Sequence, residues 1–217
     1  MTSEPVSASR TTLTWGGAGL VLAALTPIVA ELAFLFPPPG TSWLYSAETP
    51  FAGTASAAVL VIAFVVLAFG IRGEQGIAGP SRVGRTALVL FALTSIVSAG
   101  YVTVNMTAVG VNSGVLALVS ILFWTLEIVR VVALIVAAVS VFRAGVVTGP
   151  ARWALPVVAL ILAGVVVVSR IPLPAVLDVW LWGLVGIPLA LLLTGVLFLV
   201  QGLRSPRAIE TPAPSAG

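Results

Sequence analysis

The sequence predicts an all-α, polytopic membrane protein, a bundle of six transmembrane helices with both termini in the cytoplasm. Three observations carry that prediction. Hydrophobic residues make up 59% of the 217 positions and charged residues 8%, whereas soluble domains carry about 25% charged residues. So little polar surface cannot cover a globule in water. The apolar residues fall into six runs separated by Gly, Pro and Arg, each long enough to approach the span of roughly 20 residues that a bilayer requires. The arginines collect on alternate connections, as topology signals do.

Taken in order, residues 1–12 are small and polar, with Glu4, Pro5 and Arg10, and read as a disordered lead-in. Helix one covers 13–36. A signal peptide cleaved after Ile28-Val29-Ala30 is the rival reading, but the leading segment is weakly basic and the apolar run continues past that cut, which favours an anchor. Pro27 removes one backbone hydrogen bond and its ring opposes the Ala23 carbonyl, so a kink is expected there. Pro37-Pro38-Pro39-Gly40 ends the helix. The connection to Pro50 holds Trp43, Tyr45 and Glu48 and no basic residue, as an interfacial belt would.

Helix two is expected over 51–71, uncharged throughout, followed by a Gly-rich loop with Arg72, Arg82 and Arg85. Helix three covers 86–110. Val111-Asn112-Ser113-Gly114 is the turn to helix four, 115–142, because the apolar run across it is too long for one span. A loop with Arg143, Gly149, Pro150 and Arg152 leads to helix five, 153–169, and Arg170-Ile171-Pro172-Leu173-Pro174 breaks it. Helix six covers 175–203, and 204–217 is a Pro- and Ser-containing tail expected to be disordered. The two halves show no repeat of the kind seen in inverted-repeat transporters.

Six helices place Arg10, Arg72, Arg82, Arg85, Arg143, Arg152, Arg204 and Arg207 on one side, with Arg170 flanking the other. A five- or seven-helix count scatters them. The positive-inside rule then puts both termini in the cytoplasm. The basic residues lie between the apolar runs rather than along one helix face, so the net charge of +3 is not a nucleic-acid signal. Arg without Lys, together with abundant Ala, Val and Gly, suggests a GC-rich coding sequence and a bacterial inner membrane.

Absences narrow the chemistry. The chain has no Cys, His or Lys, and Asp178 is its one Asp. Thiol nucleophiles, iron–sulfur clusters, imidazole ligation, Ser–His and Cys–His catalysis and Schiff bases are therefore excluded. Paired-Asp sites that hold Mg²⁺ on a diphosphate are excluded too. The expected partners are the lipid bilayer and a small solute, with no cofactor, metal or nucleic acid.

The candidate site begins with Glu127 and Arg130, three residues apart on one face of helix four and near the bilayer midplane. A charge at that depth costs about 2.5–3.5 kcal/mol on insertion scales and is rarely left without a partner or a use. Thr94, Ser98, Tyr101 and Asn105 repeat at steps of four, three and four on helix three and share one face. Glu31 on helix one falls roughly 10 Å above the midplane, and Arg170 and Asp178 sit at the outer ends of helices five and six. Together these residues define an outward-facing polar funnel with Glu127 and Arg130 at its floor, Tyr101 and Asn105 in its wall and Arg170 and Asp178 at its rim. The bland alternatives are a register-fixing ion pair and ordinary interhelical hydrogen bonding.

Three function classes fit. A solute-binding or transport protein would use Glu127 and Arg130 on a zwitterionic or amphipathic molecule, with Glu31 at the mouth. A cofactor-independent enzyme on a lipidic substrate would pair Glu31 and Glu127 as acid and base. A structural or partner subunit would use its polar groups only to lock the bundle, with Gly16, Gly17, Gly19, Gly183 and Gly186 allowing close packing.

Overall fold

The structure, a computed structural model, describes residues 10–35, 42–71, 74–107, 113–168 and 179–204. Within them the side chains of 31, 33–35, 42–52, 100–107, 113–116 and 179–185 are outside the description. The helices are α1 (Arg10–Leu35), α2 (Ser42–Phe69), α3 (Arg82–Thr107), α4 (Ser113–Ala144), α5 (Ala154–Val168) and α6 (Val179–Arg204). A 3-10 segment, Gly149–Trp153, leads into α5, and no strand occurs among the described residues. The fold is all-α, as the hydrophobic runs predict. Five stretches are long and apolar enough to cross a membrane: Arg10–Ala30, Arg82–Ala99, Ala117–Ala144, Gly149–Val168 and Gly186–Arg204. Gly53–Phe69 is a shorter apolar helix segment.

Boundaries differ from expectation at several ends. Helix one starts at Arg10, inside the segment expected to be a disordered tail, and α3 starts at Arg82 rather than 86. The largest change is in α2, which begins at Ser42 rather than 51. Trp43, Tyr45, Glu48 and Pro50 are thus helical positions, and helix two is not free of charge. Pro50 removes one backbone donor, and a single lost bond need not end a helix in an apolar medium, where Pro is tolerated. The turn expected at Val111-Asn112-Ser113-Gly114 is helical in its second half, since α4 begins at Ser113; its first two residues, the break at 37–40, the Arg170 turn and both chain ends lie outside the described residues.

Each helix packs against its neighbours in sequence, and α6 returns to α1, closing a ring. The outer face is as apolar as the inner one: Ile62, Leu122, Leu160 and Leu193 are exposed, whereas Thr12, Thr94, Ser95, Glu127 and Thr194 are buried. This is the arrangement that an apolar solvent selects, since lipid offers polar groups no partner.

Hydrocarbon tails supply no hydrophobic drive for helices to meet, so close packing must do that work. Glycine makes it possible here. A Cβ on Gly17 would stand 2.7 Å from the Gly195 carbonyl oxygen, and one on Gly195 would stand 2.8 Å from that of Gly17. Further along the same seam, a Cβ on Gly202 would stand 2.6 Å from Thr14 Oγ1. On the α2 side, one on Gly19 would stand 2.8 Å from Ala63 Cβ. The close packing expected of Gly16, Gly17 and Gly19 is therefore present. The α6 partner expected at Gly186 is not: a Cβ there meets nothing within 4 Å. Gly183 lies outside the described side-chain environments.

One end of the ring is tied together by polar contacts. Thr12 Oγ1 donates to Glu74 at 2.9 Å and accepts the Ile71 N–H at 3.1 Å. The α2–α3 connection turns back into the bundle, where Ile77 and Ala78 are fully buried and the Ile77 N–H donates to the Leu67 carbonyl at 2.8 Å. Gly70, at φ +77°, makes the reversal, a conformation that costs a side-chain-bearing residue but not Gly. Arg85 holds the loop by donating from Nε and Nη2 to the Gly79 carbonyl at 3.0 and 2.7 Å. Arg10, Arg82, Arg143, Arg152 and Arg204 lie at this same end, because alternate helices begin or finish there.

Gly195→Ala should place a methyl group against the α1 backbone and destabilise the fold by about 1–3 kcal/mol, whereas Gly186→Ala should be neutral or slightly stabilising. Thermal unfolding in detergent, followed by loss of the monodisperse size-exclusion peak, separates the two; equal melting points would sink the seam.

Candidate functional site

Glu127 and Arg130 stand where their spacing predicts, on α4 and joined, with Arg130 Nη1 3.2 Å from Glu127 Oε1. Both side chains are withdrawn from the surface, at 14% exposure for Arg130 and 7% for Glu127. Only one carboxylate oxygen is engaged at this distance, and Arg130 Nε is buried without a hydrogen-bond partner among the described residues. A guanidinium carries five N–H donors in a rigid fork. The pair therefore leaves part of that fork unused.

Arg130 also lines a central cavity. Its volume is about 220 Å³, and every helix contributes to its wall, with Pro27 from α1, Ser56 from α2, Ser95 and Ser98 from α3, Arg130 from α4, Leu162 from α5 and Ile187 from α6. Among the described residues Arg130 is its one charged lining residue, and Glu127 is not part of the wall. Pro27, Ser56, Ser98 and Arg130 lie roughly 20–25 Å along their helices from the arginine-rich end. The cavity is therefore deep within the bundle.

The hydroxyls around it are already partly committed. Ser95 Oγ donates to the Phe91 carbonyl at 2.9 Å, and Thr94 Oγ1 lies 2.9 Å from the carbonyls of Leu90 and Phe91. Ser56 does something the sequence did not announce. Pro27 has no N–H to offer the Ala23 carbonyl, and Ser56 Oγ of the neighbouring helix donates to that oxygen at 2.6 Å. The α1 backbone is thus satisfied from α2, and the helix continues through Pro27 without a break.

Of the predicted funnel, the structure describes the side chains of Glu127, Arg130, Thr94 and Ser98. Glu127 and Arg130 come together, and Ser98 joins Arg130 at the cavity. Thr94, predicted on the same face as Ser98, is buried but does not line the cavity. Glu31, Tyr101 and Asn105 are helical positions on α1 and α3, beyond the described lining residues of those helices on the side away from the arginine-rich end. Their side chains lie outside the description, as do Arg170 and Asp178 altogether. Ser56 and Ser95 were missed. Ser95 stands three residues before Ser98 and one off the predicted stripe. The orphan Ala23 carbonyl could be inferred from Pro27, but which helix answers it is a matter of tertiary packing.

Compared with known proteins, the chain matches no family model, no curated protein and no solved structure.

Ser56→Ala should leave the Ala23 carbonyl unpaired at a cost of about 1–3 kcal/mol. Pro27→Ala restores a backbone donor to that oxygen, so in its background the same Ser56→Ala change should cost much less. A double-mutant cycle by thermal unfolding reads this coupling. Additive effects would show that the two residues do not share the carbonyl.

Proposed function

We propose that this protein binds a small solute inside the membrane, at the central cavity beside Arg130, and passes it across the bilayer. The observation that carries the reading is an incompletely paired, buried guanidinium in the wall of a cavity to which all six helices contribute. An intramembrane ionisable group that is neither fully paired nor exposed marks a solute path more often than an architectural lock. At about 220 Å³ the cavity lies below the roughly 300–1,000 Å³ typical of drug-sized ligands. A solute of a few heavy atoms fits.

The available donors define its chemistry. Arg130 and Ser98 line the cavity and carry N–H and O–H donors, while the Ser56 and Ser95 hydroxyl protons are engaged with carbonyls. The solute therefore carries an acceptor group, a carboxylate above all, because Arg presents its donors in a fork that matches carboxylate geometry. Glu127 stands behind Arg130, out of the cavity, and holds the guanidinium in place. Glu31, Tyr101 and Asn105 lie on the far side from the arginine-rich end and form the approach from outside.

The test is ligand-induced stabilisation of the purified protein by a panel of short monocarboxylates and amino acids. A ligand at a hundred times its Kd raises stability by about 2.7 kcal/mol, a readily measured shift in melting point. Arg130→Gln should abolish the shift. Glu127→Gln should weaken it severely while expression and the size-exclusion profile persist. If Glu127→Gln instead prevents folding and no panel member stabilises the native protein, the pair is a lock and the binding reading fails.

The same reading sets the orientation. The arginine-rich end, with both termini, faces the cytoplasm of a bacterial cell, as basic connections do, and the protein resides in the inner membrane. The chain has no Cys, so one introduced at exposed Gln75 reports the topology directly. It should resist a membrane-impermeant maleimide in intact cells and react after permeabilisation. Labelling in intact cells would invert the protein.

A further inference from the structure

A second concave feature lies on the outer, lipid-facing surface between α4 and α5. It encloses about 430 Å³ between apolar walls that include Ile135, Val139 and Leu160, and it ends at Phe142, Arg143 and Trp153. From Ile135 to Arg143 the groove follows α4 for about 12 Å. That is most of one leaflet, since the hydrocarbon core is about 30 Å across.

The closed end of the groove is a built structure. The Trp153 ring meets the Phe142 ring edge-on at 4.9 Å between centroids. The Arg152 guanidinium lies 3.8 Å from the Phe142 ring centroid and donates from Nη2 to the Phe142 carbonyl at 2.9 Å. That carbonyl belongs to the last turn of α4, where no intrahelical donor remains. Arg152 thus caps one helix while stacking on it, and its Nε is left buried without a partner among the described residues. Arg143 is exposed at the rim and makes no ion pair or hydrogen bond among them. The described acidic residue at this end, Glu74, accepts from Thr12 on α1. The negative charge that would complement Arg143 and Arg152 must come from outside the described part of the chain.

We propose that the α4–α5 groove is a binding site for one anionic phospholipid, with an acyl chain along Ile135, Val139 and Leu160 and the headgroup phosphate at Arg143 beside Trp153. Basic pockets between membrane helices recognise anionic headgroups in this way, and Trp at that level is an interfacial anchor. The site is separate from the central cavity and does not depend on the solute. It requires only that the helices span a bilayer.

The test uses the full-length protein in detergent, titrated with phosphatidylglycerol or phosphatidylcholine of the same acyl chains and observed by native mass spectrometry. The wild type should hold a single phosphatidylglycerol adduct at least several-fold tighter than phosphatidylcholine. Arg143→Gln should reduce that preference about fivefold, as expected for one basic group at a membrane surface. Val139→Trp, which fills the groove at an exposed position and leaves both arginines in place, should displace the adduct. Arg82 rims a different groove, between α3 and α4, and Arg82→Gln should leave the preference within twofold. Equal affinity for the two lipids, an unchanged preference in Arg143→Gln, or an equal loss in Arg82→Gln would each overturn the proposal.

Discussion

The backbone of α1 touches the backbone of α6 at Gly17 and Gly195, and the remaining architecture depends on that contact. It closes the ring. With side chains at either position, the two helices would stand further apart and the sixth wall of the central cavity would be displaced. Lipid supplies no hydrophobic drive for helices to associate, so the seam holds through close van der Waals approach. On its other side α1 uses Gly16 and Gly19 against Leu67 and Ala63 of α2. The first helix therefore joins the two halves of the ring, as a wall of the bundle rather than an appendage.

Inside that ring, polar groups are satisfied by the chain itself. Thr94, Ser95 and Thr194 return their hydroxyl protons to carbonyls of their own helices. Ser56 reaches across to the carbonyl that Pro27 leaves free. Against this background Arg130 stands out. It has one contact to Glu127 and a buried Nε with nothing to bond among the described residues. Removing one member of a buried pair strands the other charge and costs about 3–5 kcal/mol, whereas replacing both by apolar residues is often neutral. A pair kept only for stability would be poorly chosen here, and the proposed solute at the neighbouring cavity would give it a use.

Arg152 and Arg130 show how depth changes the meaning of the same side chain. Arg152, in the 3-10 segment before α5, caps a carbonyl at the end of α4 and stacks on Phe142. Arg130 lies roughly 20 Å further along α4, where stretching its side chain cannot bring the charge to water.

Composition alone determined that the chain is suited to a membrane, because 8% charged residues cannot solvate a folded surface, and the length of the apolar runs made helices the expected elements. The i, i+3 spacing alone determined that Glu127 and Arg130 share a helix face, because helical geometry leaves no alternative. Pro27 alone determined that a carbonyl at Ala23 would need a donor. Helix ends were less legible. Pro50 closes the loop expected before helix two, yet α2 runs through it from Ser42, since one lost hydrogen bond can be absorbed when packing holds the helix. Tertiary structure decided which glycines of α6 meet α1, that Ser56 answers Ala23, and that Ser95 and Ser98, rather than Thr94, join Arg130 at a cavity. Those outcomes depend on the rotation and offset of one helix against another. Local sequence carries periodicity along a helix but not its register against a partner, and that register is set only when all six close the ring.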